Sequence, residues 1–483
     1  MFTNSQTEVF NTVMSAVTAQ DQILLFIDAR GGTGKTFVLN SILAAVRCMH
    51  LDDSGSVALA TGTTGIAGNL LHLGRTFHSR FKAPLSPTED SVCCIDARSS
   101  LADLIRMAKV IVVDEASMLH RYLIEALHRS LQDIMDNDLI FGGKSVILSG
   151  DFRQCLPVIK GANRGATVAA SLKRSFLWKH FNVKQLTENM RILTSQDPWL
   201  ERFDSWTVSI GNGTINTFEG TNMIEIPDDM FMKIEGGSNG DVTSQELSMN
   251  NLAKQVYPNI ETNYKKKGWM DGRAILAPTN KQVDAINNLI TDSFPGKPYV
   301  LTSSDDVTNA DDLQRFNTEY LNTLTPSGLP EHRLFLKPGM PLMLMRNLNP
   351  KMGLCNGTRL IFEKLHNNHL LECSIVGGDF CSRKVLIPRI SLKPKDREFP
   401  FEWSRRQFPV RVAFSMTINK SQGQTLQNVG VWLYDNCFTH GQLYVAVSRV
   451  GSPDHIKLAI RKAEDHPMNS TANVVYNEVL NVG

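Results

Sequence analysis

The chain has 483 residues, of which 42% are hydrophobic and 20% charged, and this is the composition of a globular protein with roughly two to four domains. No apolar run reaches the roughly 18 residues that a membrane-spanning helix needs, and the N-terminus lacks the basic and then apolar layout of a secretory signal. The net charge of +2 excludes no class of partner, because a balanced chain can still carry a basic groove for nucleic acid. The eight cysteines form no C-x-x-C pair, which argues against a zinc site or a disulfide framework and predicts a reducing compartment, the nucleus or the cytoplasm.

Short apolar runs alternate with helical patterns through the first half of the chain. Each run ends in small or acidic residues and is typical of a buried strand: ILLFIDA (23–29), SVALATG (56–62), VIVVDE (110–115) and SVILSGD (145–151). This alternation predicts an α/β fold with a parallel sheet covered by helices on both faces. Functional groups are expected at the carboxyl ends of these strands.

The second half of the chain changes pattern twice. Residues 212–270 are more polar and are predicted to form peripheral loops and helices, after which GRAILAPTN (272–280) resumes the strand pattern. From about 330 to 400, short strand-like runs separated by Gly, Pro and Asn predict a small β-barrel inserted into a larger domain. RVAFSMTINKSQGQT (411–425) returns to the α/β pattern, so the second α/β domain is predicted to be discontinuous in sequence.

A glycine-rich segment, ARGGTGKT (29–36), lies between the first predicted strand and an apolar helix. It matches the phosphate-loop pattern at Gly34, Lys35 and Thr36, whereas Ala29 takes the place of the first glycine. Glycines allow successive N–H groups to face phosphate oxygens, Lys35 is predicted to reach the β- and γ-phosphates, and the Thr36 hydroxyl is predicted to bind Mg²⁺. The alternative is a strand-to-helix turn without a ligand, which this context disfavours.

The run VIVVDE delivers two adjacent carboxylates to the end of a strand about 80 residues after the phosphate loop. Asp114 is predicted to hold Mg²⁺, and Glu115 to orient and polarise the attacking water. Alone, such a strand end is mostly structural, and only the phosphate loop upstream makes the catalytic interpretation the stronger one.

Three further segments carry groups that suit a γ-phosphate. GDFRQCLP (150–157) contains Arg153 and Gln154, while LTENMR and LYVAVSR end in Arg191 and Arg449. An arginine supplied by a neighbouring domain stabilises the charge that develops on a γ-phosphate. Read alone, GDFRQCLP is by default a strand-ending turn, and a lone arginine of this kind more often forms a surface ion pair.

The order of these motifs resembles the superfamily-one DNA helicases of the PIF type, and most closely the branch that Helitron transposons encode. The resemblance covers nearly the whole chain and rests on GGTGKT (31–36), TGTTGIAGNLL (61–71), GRTFHSRFK (74–82), VVDEASM (112–118), FGGKSVILSGDFRQCLPVI (141–159), LTENMR (186–191), RAILAPTN (273–280), LCNGTRL (354–360), MTINKSQGQTL (416–426) and HGQLYVAVSRV (440–450). Departures at Ala29, Asn69, Ser415 and Val447 remove no group that does chemistry.

The resemblance implies ATP- and Mg²⁺-dependent 5′→3′ translocation on single-stranded DNA with unwinding of duplex DNA. The implied partners are single-stranded DNA and forked or 5′-tailed duplex DNA. The protein is expected to bind them as a monomer and to have no membrane partner. The implied architecture is two RecA-like P-loop NTPase domains, residues 1–192 with a small wedge insertion near 68–85 and residues 193–325 with 401–483, and an SH3-like β-barrel at 326–400. No His-x-His motif of a replication-initiator nuclease is present, so a helicase unit alone is expected.

The resemblance also implies roles for individual residues. Catalysis is assigned to Lys35, Asp114, Glu115, Gln154, Arg191 and Arg449. ATP binding is assigned to Gln6, which would read the adenine, and to Gly31, Gly32, Thr33, Gly34, Lys35, Thr36, Gly423 and Gln424. Mg²⁺ binding is assigned to Thr36 and Asp114, and DNA contact to Thr63, Phe77, His78, Asn280, Thr417 and Lys420.

Several alternatives stay open at this point. Phe77 and Phe81 are spaced either to stack on bases or to form one face of a core helix. RRQFPVR (405–411) is either a DNA-facing basic strip or a solvated edge, and the edge is favoured. The whole chain is alternatively a P-loop ATPase that remodels protein or clamps nucleic acid without unwinding it. A binding module with a decayed site is disfavoured because the phosphate-handling residues are intact.

Overall fold

The computed structural model describes residues 2–49, 57–159, 161–195, 197–234, 242–309, 315–326, 328–378, 380–394, 399–462 and 466–481. The helices in these ranges are α1 (Asn4–Ala19), α2 (Lys35–Cys48), α3 (Gly65–Leu70), α4 (Phe77–Phe81), α5 (Ser100–Met107), α6 (Arg121–Met135), α7 (Arg164–Ala170), α8 (Met190–Ser195), α9 (Pro198–Asn212), α10 (Val242–Val256), α11 (Ile260–Asn263), α12 (Asn280–Ser293), α13 (Thr318–Thr323), α14 (Ile418–Ser421), α15 (Gln442–Val447) and α16 (Asn477–Leu480).

The strands belong to two parallel sheets, three small antiparallel sheets and one short antiparallel pair. They are β1 (Leu24–Ala29), β2 (Val57–Gly62), β3 (Arg75–Thr76), β4 (Ala108–Asp114), β5 (Ser145–Gly150), β6 (Asn182–Leu186), β7 (Met223–Glu225), β8 (Phe231–Lys233), β9 (Arg273–Ala277), β10 (Tyr299–Thr302), β11 (Ser304–Val307), β12 (Arg333–Leu336), β13 (Pro341–Leu344), β14 (Arg359–His366), β15 (Leu370–Ile375), β16 (Lys384–Pro388), β17 (Ile390–Leu392), β18 (Trp403–Gln407), β19 (Val410–Val412), β20 (Ser415–Thr417), β21 (Asn428–Leu433), β22 (Ile456–Ile460) and β23 (Ser470–Ala472).

The first domain is built on a parallel sheet of order β3-β2-β4-β5-β1-β6. Its four central strands, β2, β4, β5 and β1, are mostly buried, and successive residues of β1 enter different cores. Leu25 and Ile27 pack with α1 and α2, whereas Phe26 packs with α5 and α6 on the other face. The predicted α/β fold is therefore confirmed, and the carboxyl ends of β1, β4 and β5 meet at one edge.

The second domain has its own parallel sheet, of order β20-β9-β21-β22-β8. β20 pairs with β9 although the whole insertion lies between them in sequence, so this sheet is assembled from two separate parts of the chain. The edge strand β8 falls in the polar region that was expected to contain only loops and helices. With three residues, β8 is too short to produce a recognisable alternation.

The inserted region is rich in strands, as predicted. A five-stranded antiparallel sheet has the order β16-β15-β14-β13-β19, and smaller sheets are formed by β11-β18-β17 and by β10-β12. These sheets include residues as early as Tyr299 and as late as Val412. No helix within the described residues has both the length and the apolar composition that crossing a membrane requires.

The C-terminal helix α16 returns to the first domain. Tyr476 and Val479 belong to the hydrophobic core under the first sheet. Arg164 makes a bidentate ion pair with the Glu478 carboxylate, with N–O distances of 3.0 and 2.7 Å. Lys173 donates to the Leu480 carbonyl at 3.1 Å. The C-terminal end of the predicted second domain is thus anchored on the first domain.

Arg405 is the centre of the small β11-β18-β17 sheet. Its guanidinium is completely buried, contacts both carboxylate oxygens of Asp305 at 2.6–3.1 Å, and donates to the backbone carbonyls of Leu321, Leu324 and Pro330. Arg405 therefore belongs neither to a DNA-facing strip nor to a solvated edge, and both interpretations of the run RRQFPVR are wrong for its first residue. The next residue, Arg406, is exposed.

We expect Arg405→Ala to lower the local opening free energy of β18 by about 3–5 kcal/mol, because it leaves the Asp305 carboxylate buried and unpaired. Native-state hydrogen exchange of the β18 amides measures this quantity directly. Arg406→Ala is the matched control on the same strand and is expected to change it by less than about 0.5 kcal/mol. Equal protection of β18 in the two variants would contradict the role given to Arg405.

Candidate active site

The segment between β1 and α2 has the backbone of a phosphate-binding loop. Gly32 and Gly34 have φ values of +87° and +76°, a conformation that side chains other than glycine rarely adopt. A Cβ atom would also lie 2.6 Å from Asn189 Oδ1 at Gly32 and 2.6 Å from Gln6 Nε2 at Gly34. Ala29 is the buried last residue of β1 and is absent from the positive-φ positions, so the first position of the motif does not require glycine here.

Two segments hold this loop from outside. Gln6 is buried at the start of α1, where its Nε2 donates to the Thr33 carbonyl at 2.8 Å and its Oε1 accepts from the Thr3 N–H at 3.1 Å. On the other side, the Met190 N–H donates to the Gly32 carbonyl at 3.0 Å. Gln6, predicted from the resemblance to read adenine, thus lies against the loop backbone.

Lys35 connects the loop to the two carboxylates at the end of β4. Its Nζ lies 2.7 Å from Asp114 Oδ1 and 2.6 Å from Glu115 Oε1, and both acids are buried. Burial alone would lower the pKa of Lys35, but the two carboxylates outweigh it and raise the pKa above its ordinary value. Burial likewise opposes ionisation of Glu115, yet the Lys35 charge holds the pKa of Glu115 below its usual range.

The two acids are fixed by groups on neighbouring strands. Ser149, on β5, donates its hydroxyl to Asp114 Oδ1 at 2.8 Å. Thr63, which follows β2, donates its hydroxyl to the Glu115 carbonyl at 2.7 Å and its N–H to the Asp114 carbonyl at 3.0 Å. Glu115 itself has a φ of +56°, a strained conformation for a glutamate that aims its side chain at Lys35. Ser149 was not predicted, because a serine inside an apolar strand gives no functional pattern.

The second domain reaches the same carboxylate. Gln422 Nε2 donates to Glu115 Oε2 at 3.3 Å. Gln424, two residues later, donates instead to the Lys420 carbonyl at 2.9 Å. Between them Gly423 has a φ of +79°, and a Cβ there would meet nothing within 4 Å. Gln422 was missed because its spacing does not distinguish it from Gln424.

Arg449 is buried behind this segment. Its Nη1 donates to the Ser421 and Gln424 carbonyls at 3.3 and 3.0 Å, and its Nε donates to the Val445 carbonyl at 2.9 Å. Burial lowers its pKa, and the negative charge of Glu115 acts in the opposite direction. Arg449 thus fixes the α14 segment and places positive charge near Glu115.

Gln154 lies buried just after β5, and its Oε1 has no hydrogen-bond partner among the described residues. Gln422 Oε1 is a second buried acceptor of this kind. Buried polar atoms are nearly always satisfied, so these two acceptors are candidates to bind a donor that is not part of the chain. Arg191 lies in α8, and its side chain is outside the described residues.

The residues predicted to contact DNA differ in burial and in their contacts. Phe77 and Phe81 are completely buried, with ring centroids 5.1 Å apart, so they form a core helix face and cannot stack on bases. Asn280 Oδ1 accepts from Arg411 at 3.2 Å, and Arg411 also pairs with Asp284. His78 is half-buried, Thr417 precedes α14, and Lys420 is exposed.

The donors for Mg²⁺ are of the right kind. The Thr36 hydroxyl and the Asp114 carboxylate are hard oxygen ligands at the loop, the type that Mg²⁺ combines with water and substrate phosphates. Among the described residues no cluster of three His, Cys, Asp or Glu side chains could hold a metal ion. The donor set therefore fits an ion that shares its coordination with a nucleotide.

A model of the PIF1-like helicase family matches residues 1–221, and a model of the 2B domain of the DNA helicase Pif1 matches residues 319–365. Together they cover more than half of the chain. The matched parts of the chain belong to the PIF1-like helicase family. This membership agrees with the ordered motifs that run from the phosphate loop to Arg449.

Relatives within the curated proteins are distant and longer. The ATP-dependent DNA helicases Pif1 of Psychrobacter sp. (strain PRwf-1) and PIF1 of Homo sapiens are each 25% identical over 90% and 89% of this chain. The chain spans 65% and 57% of their respective lengths. A crystal structure of Pif1 helicase from Bacteroides in complex with ADP-AlF3 and ssDNA is 21% identical with a TM-score of 0.65, covering 97% of this chain and 94% of that one. The two parallel sheets are thus the RecA-like domains of a Pif1-type fold.

We expect Lys35→Met to destabilise the nucleotide-free protein by about 3–5 kcal/mol, because it leaves two buried carboxylates without a cation. Without Lys35, burial raises the pKa of Glu115, so the folded state holds a proton that the unfolded state releases. Stability then falls as pH rises. Thermal unfolding in EDTA between about pH 5.5 and 8 measures the loss, which is expected to grow with pH.

The control is the double variant Lys35→Met/Glu115→Gln, which removes one of the two buried negative charges that Lys35 neutralised. It is expected to recover part of the lost melting temperature at the alkaline end. A single variant as stable as the wild type at pH 8 would show that the ion pairs do not hold the site together.

Proposed function

We propose that this chain is an ATP-dependent DNA helicase that translocates 5′→3′ on single-stranded DNA and unwinds duplex DNA. The observation that carries the proposal is that Glu115 is contacted from both domains, by Lys35 at 2.6 Å and by Gln422 at 3.3 Å. A carboxylate shared in this way responds to the separation of the two domains. ATP hydrolysis in the cleft then becomes dependent on domain closure.

Within this proposal, Lys35 leaves the carboxylates and pairs with the β- and γ-phosphates, while the loop N–H groups receive phosphate oxygens. Glu115, freed from Lys35, polarises the attacking water as a general base. Thr36 and Asp114 would hold Mg²⁺, which would neutralise charge on the phosphate oxygens. Gln6, already against the loop, is the proposed adenine contact.

The γ-phosphate contacts come from both sides of the cleft. Gln154 and Arg191 belong to the first domain, and Arg449, with the backbone of Gly423 and Gln424, belongs to the second. Arg449 already lies close enough to Glu115 for its charge to help keep that carboxyl ionised. Charge that develops on the γ-phosphate in this space is stabilised by the same guanidinium.

The proposed DNA contacts are Thr63, His78, Asn280, Thr417 and Lys420, and they exclude the buried Phe77. Thr63 is the most informative, because its hydroxyl and N–H bond the backbone of Asp114 and Glu115. A DNA strand that displaces Thr63 therefore acts on the backbone that positions the Asp114 and Glu115 carboxylates. Single-stranded DNA and forked or 5′-tailed duplex are the proposed partners, bound by a monomer.

Finer assignments belong to the same proposal. The domains are residues 1–192 with a wedge insertion near 68–85, residues 193–325 with 401–483, and an SH3-like β-barrel at 326–400. The motifs TGTTGIAGNLL and MTINKSQGQTL support a place in the Helitron-encoded branch, and a nuclear or cytoplasmic location follows from the reduced cysteines. A phylogeny of first-domain sequences that groups this chain with cellular enzymes would contradict the branch.

The second candidate function is a P-loop ATPase that remodels protein or clamps nucleic acid without unwinding it. The same catalytic carboxylates support it, since they serve hydrolysis and not strand separation. ATP turnover that ignores DNA favours this candidate, whereas turnover stimulated by single-stranded DNA together with strand displacement favours the helicase.

We expect ATP-dependent strand displacement from duplexes with a 5′ single-stranded tail, and little from blunt duplexes or those with a 3′ tail. A fluorescent strand-release assay with and without ATP measures all three substrates. Glu115→Gln is the control, expected to bind ATP and to lose turnover and unwinding together. Equal release from the 3′-tailed substrate would overturn the polarity, and normal turnover by Glu115→Gln would remove Glu115 from its role.

We expect Gln422→Ala to lower kcat for ATP by about tenfold with little change in KM, because Glu115 loses a hydrogen bond to a charged group worth about 1.5–3 kcal/mol. Gln424→Ala is the matched control and is expected to stay within about twofold. Its side chain bonds the Lys420 carbonyl, and Arg449 uses the Gln424 backbone, which the substitution keeps. The reverse ranking of the two variants would show that Gln424 is the residue that serves the reaction.

A further inference from the structure

A second interdomain network lies behind the catalytic carboxylates, with Asp151 at its centre. Asp151 follows β5 and is completely buried. Its Oδ2 accepts from the Tyr444 hydroxyl of the second domain at 2.8 Å, and its Oδ1 accepts from the backbone N–H and from Nη1 of Arg153, each at 3.0 Å. Gln154 Nε2 lies 3.5 Å from Asp151 Oδ2, the outer limit of a hydrogen bond.

Arg153 extends this network in two further directions. Its Nε donates to Asn212 Oδ1 at 2.7 Å, at the end of α9, which packs in the second domain's core. Its Nη1 lies 3.6 Å from Asp28 Oδ1, one residue before the phosphate-loop motif begins at Ala29. A single guanidinium thus touches the loop strand, the strand end that carries Gln154, and the second domain.

The packing around these groups is tight enough to transmit a displacement. A Cβ at Gly211 would lie 2.7 Å from the Tyr444 ring, and one at Gly441 would collide with the Arg153 carbonyl. His440 donates from Nε2 to the Phe152 carbonyl at 2.7 Å, because its Nδ1 accepts from the Tyr476 N–H at 2.8 Å. The segments 150–155, 211–212 and 440–444 therefore move as one unit or lose these contacts together.

The charge balance shows that Arg153 is shared. Burial and the neighbouring Asp151 raise the pKa of Asp28 to about 6, while Arg153, Lys173 and Lys35 act in the opposite direction. Asp28 Oδ1 has no hydrogen-bond partner within the described part of the chain. The Arg153 guanidinium therefore interacts with two carboxylates, those of Asp151 and Asp28. The hydrogen bond from the Tyr444 hydroxyl to Asp151 affects the relative strength of these two interactions.

We propose that Tyr444, Asp151 and Arg153 form an interdomain latch of positioning residues. The latch holds Gln154, next to Arg153, and Arg449, which follows α15, in register with the phosphate loop. The inference rests on the proposed ATP hydrolysis. It adds that the hydrolytic step depends on the Tyr444 hydroxyl, whereas ATP binding does not. The latch residues act through Gln154 and Arg449, which are the proposed γ-phosphate contacts.

The test is Tyr444→Phe, which removes one hydroxyl and keeps the ring against Gly211. We expect kcat of the DNA-stimulated ATPase to fall about tenfold, with KM for ATP and the affinity for a fluorescent ADP analogue within about twofold. A role in stability alone would not produce this separation of kcat from KM. Unchanged kcat in a variant that folds would overturn the latch.

Tyr257→Phe is the matched control in the second domain. The Tyr257 hydroxyl is also buried and donates to the Phe414 carbonyl at 2.7 Å, but this bond lies within the domain. The control is expected to lose a similar amount of thermal stability and to keep kcat. An equal fall of kcat in both variants would show that loss of a buried hydroxyl bond, and not the latch, slows turnover.

Asn212→Ala is a second variant that keeps the inference testable if Tyr444→Phe does not fold. It removes the acceptor of Arg153 Nε from the other side of the cleft and is expected to lower kcat in the same direction. Normal turnover by Asn212→Ala would overturn the part of the latch that joins Arg153 to α9. A wild-type chain without any ATPase would instead refute the proposed function, so the two failures are distinguishable.

Discussion

The contact of Lys35 with Asp114 and Glu115 is the constraint on which the rest of the active site depends. Two adjacent carboxylates at the end of a buried strand repel each other and lose hydration, which they tolerate only beside a cation. The phosphate loop supplies that cation, because α2 begins at Lys35 and directs its side chain across the sheet edge. The same lysine is the group that we propose a triphosphate recruits, so under that proposal the resting contact and substrate binding compete for one charge.

This competition gives the second domain its influence. When Lys35 is recruited elsewhere, Glu115 keeps its hydrogen bond from Gln422 and the nearby charge of Arg449. Both groups belong to one compact unit, because Arg449 is bonded to the carbonyls of Ser421 and Gln424 on either side of Gly423. The catalytic carboxylate is therefore correctly surrounded only while the domains are together.

Sequence reasoning recovered the architecture because strand ends carry strong local patterns. The phosphate loop, VIVVDE and the discontinuous second domain all depend on spacing and hydrophobicity within short segments. Gln422 could not be separated from Gln424, since both flank one glycine and only the turn decides which amide faces Glu115. Arg405 looked like a surface charge because its partner, Asp305, is 100 residues away in sequence. Phe77 was ambiguous because a stacking ring and a core ring have the same spacing.

Three hydrogen bonds between the domains suit repeated opening. Tyr444 with Asp151, His440 with the Phe152 carbonyl, and Gln422 with Glu115 are hydrogen bonds that water replaces when the surfaces part. The net contribution of each such bond is only about 0.5–3 kcal/mol, whereas separating an apolar interface of the same area exposes surface that water does not compensate. Apolar side chains at these positions would hold the domains together more strongly, as replacements of buried ion pairs do. They would also remove the dependence on charge by which a nucleotide changes the contact. The interface is therefore polar for the same reason that Lys35 is shared, since both arrangements keep the closed state reversible.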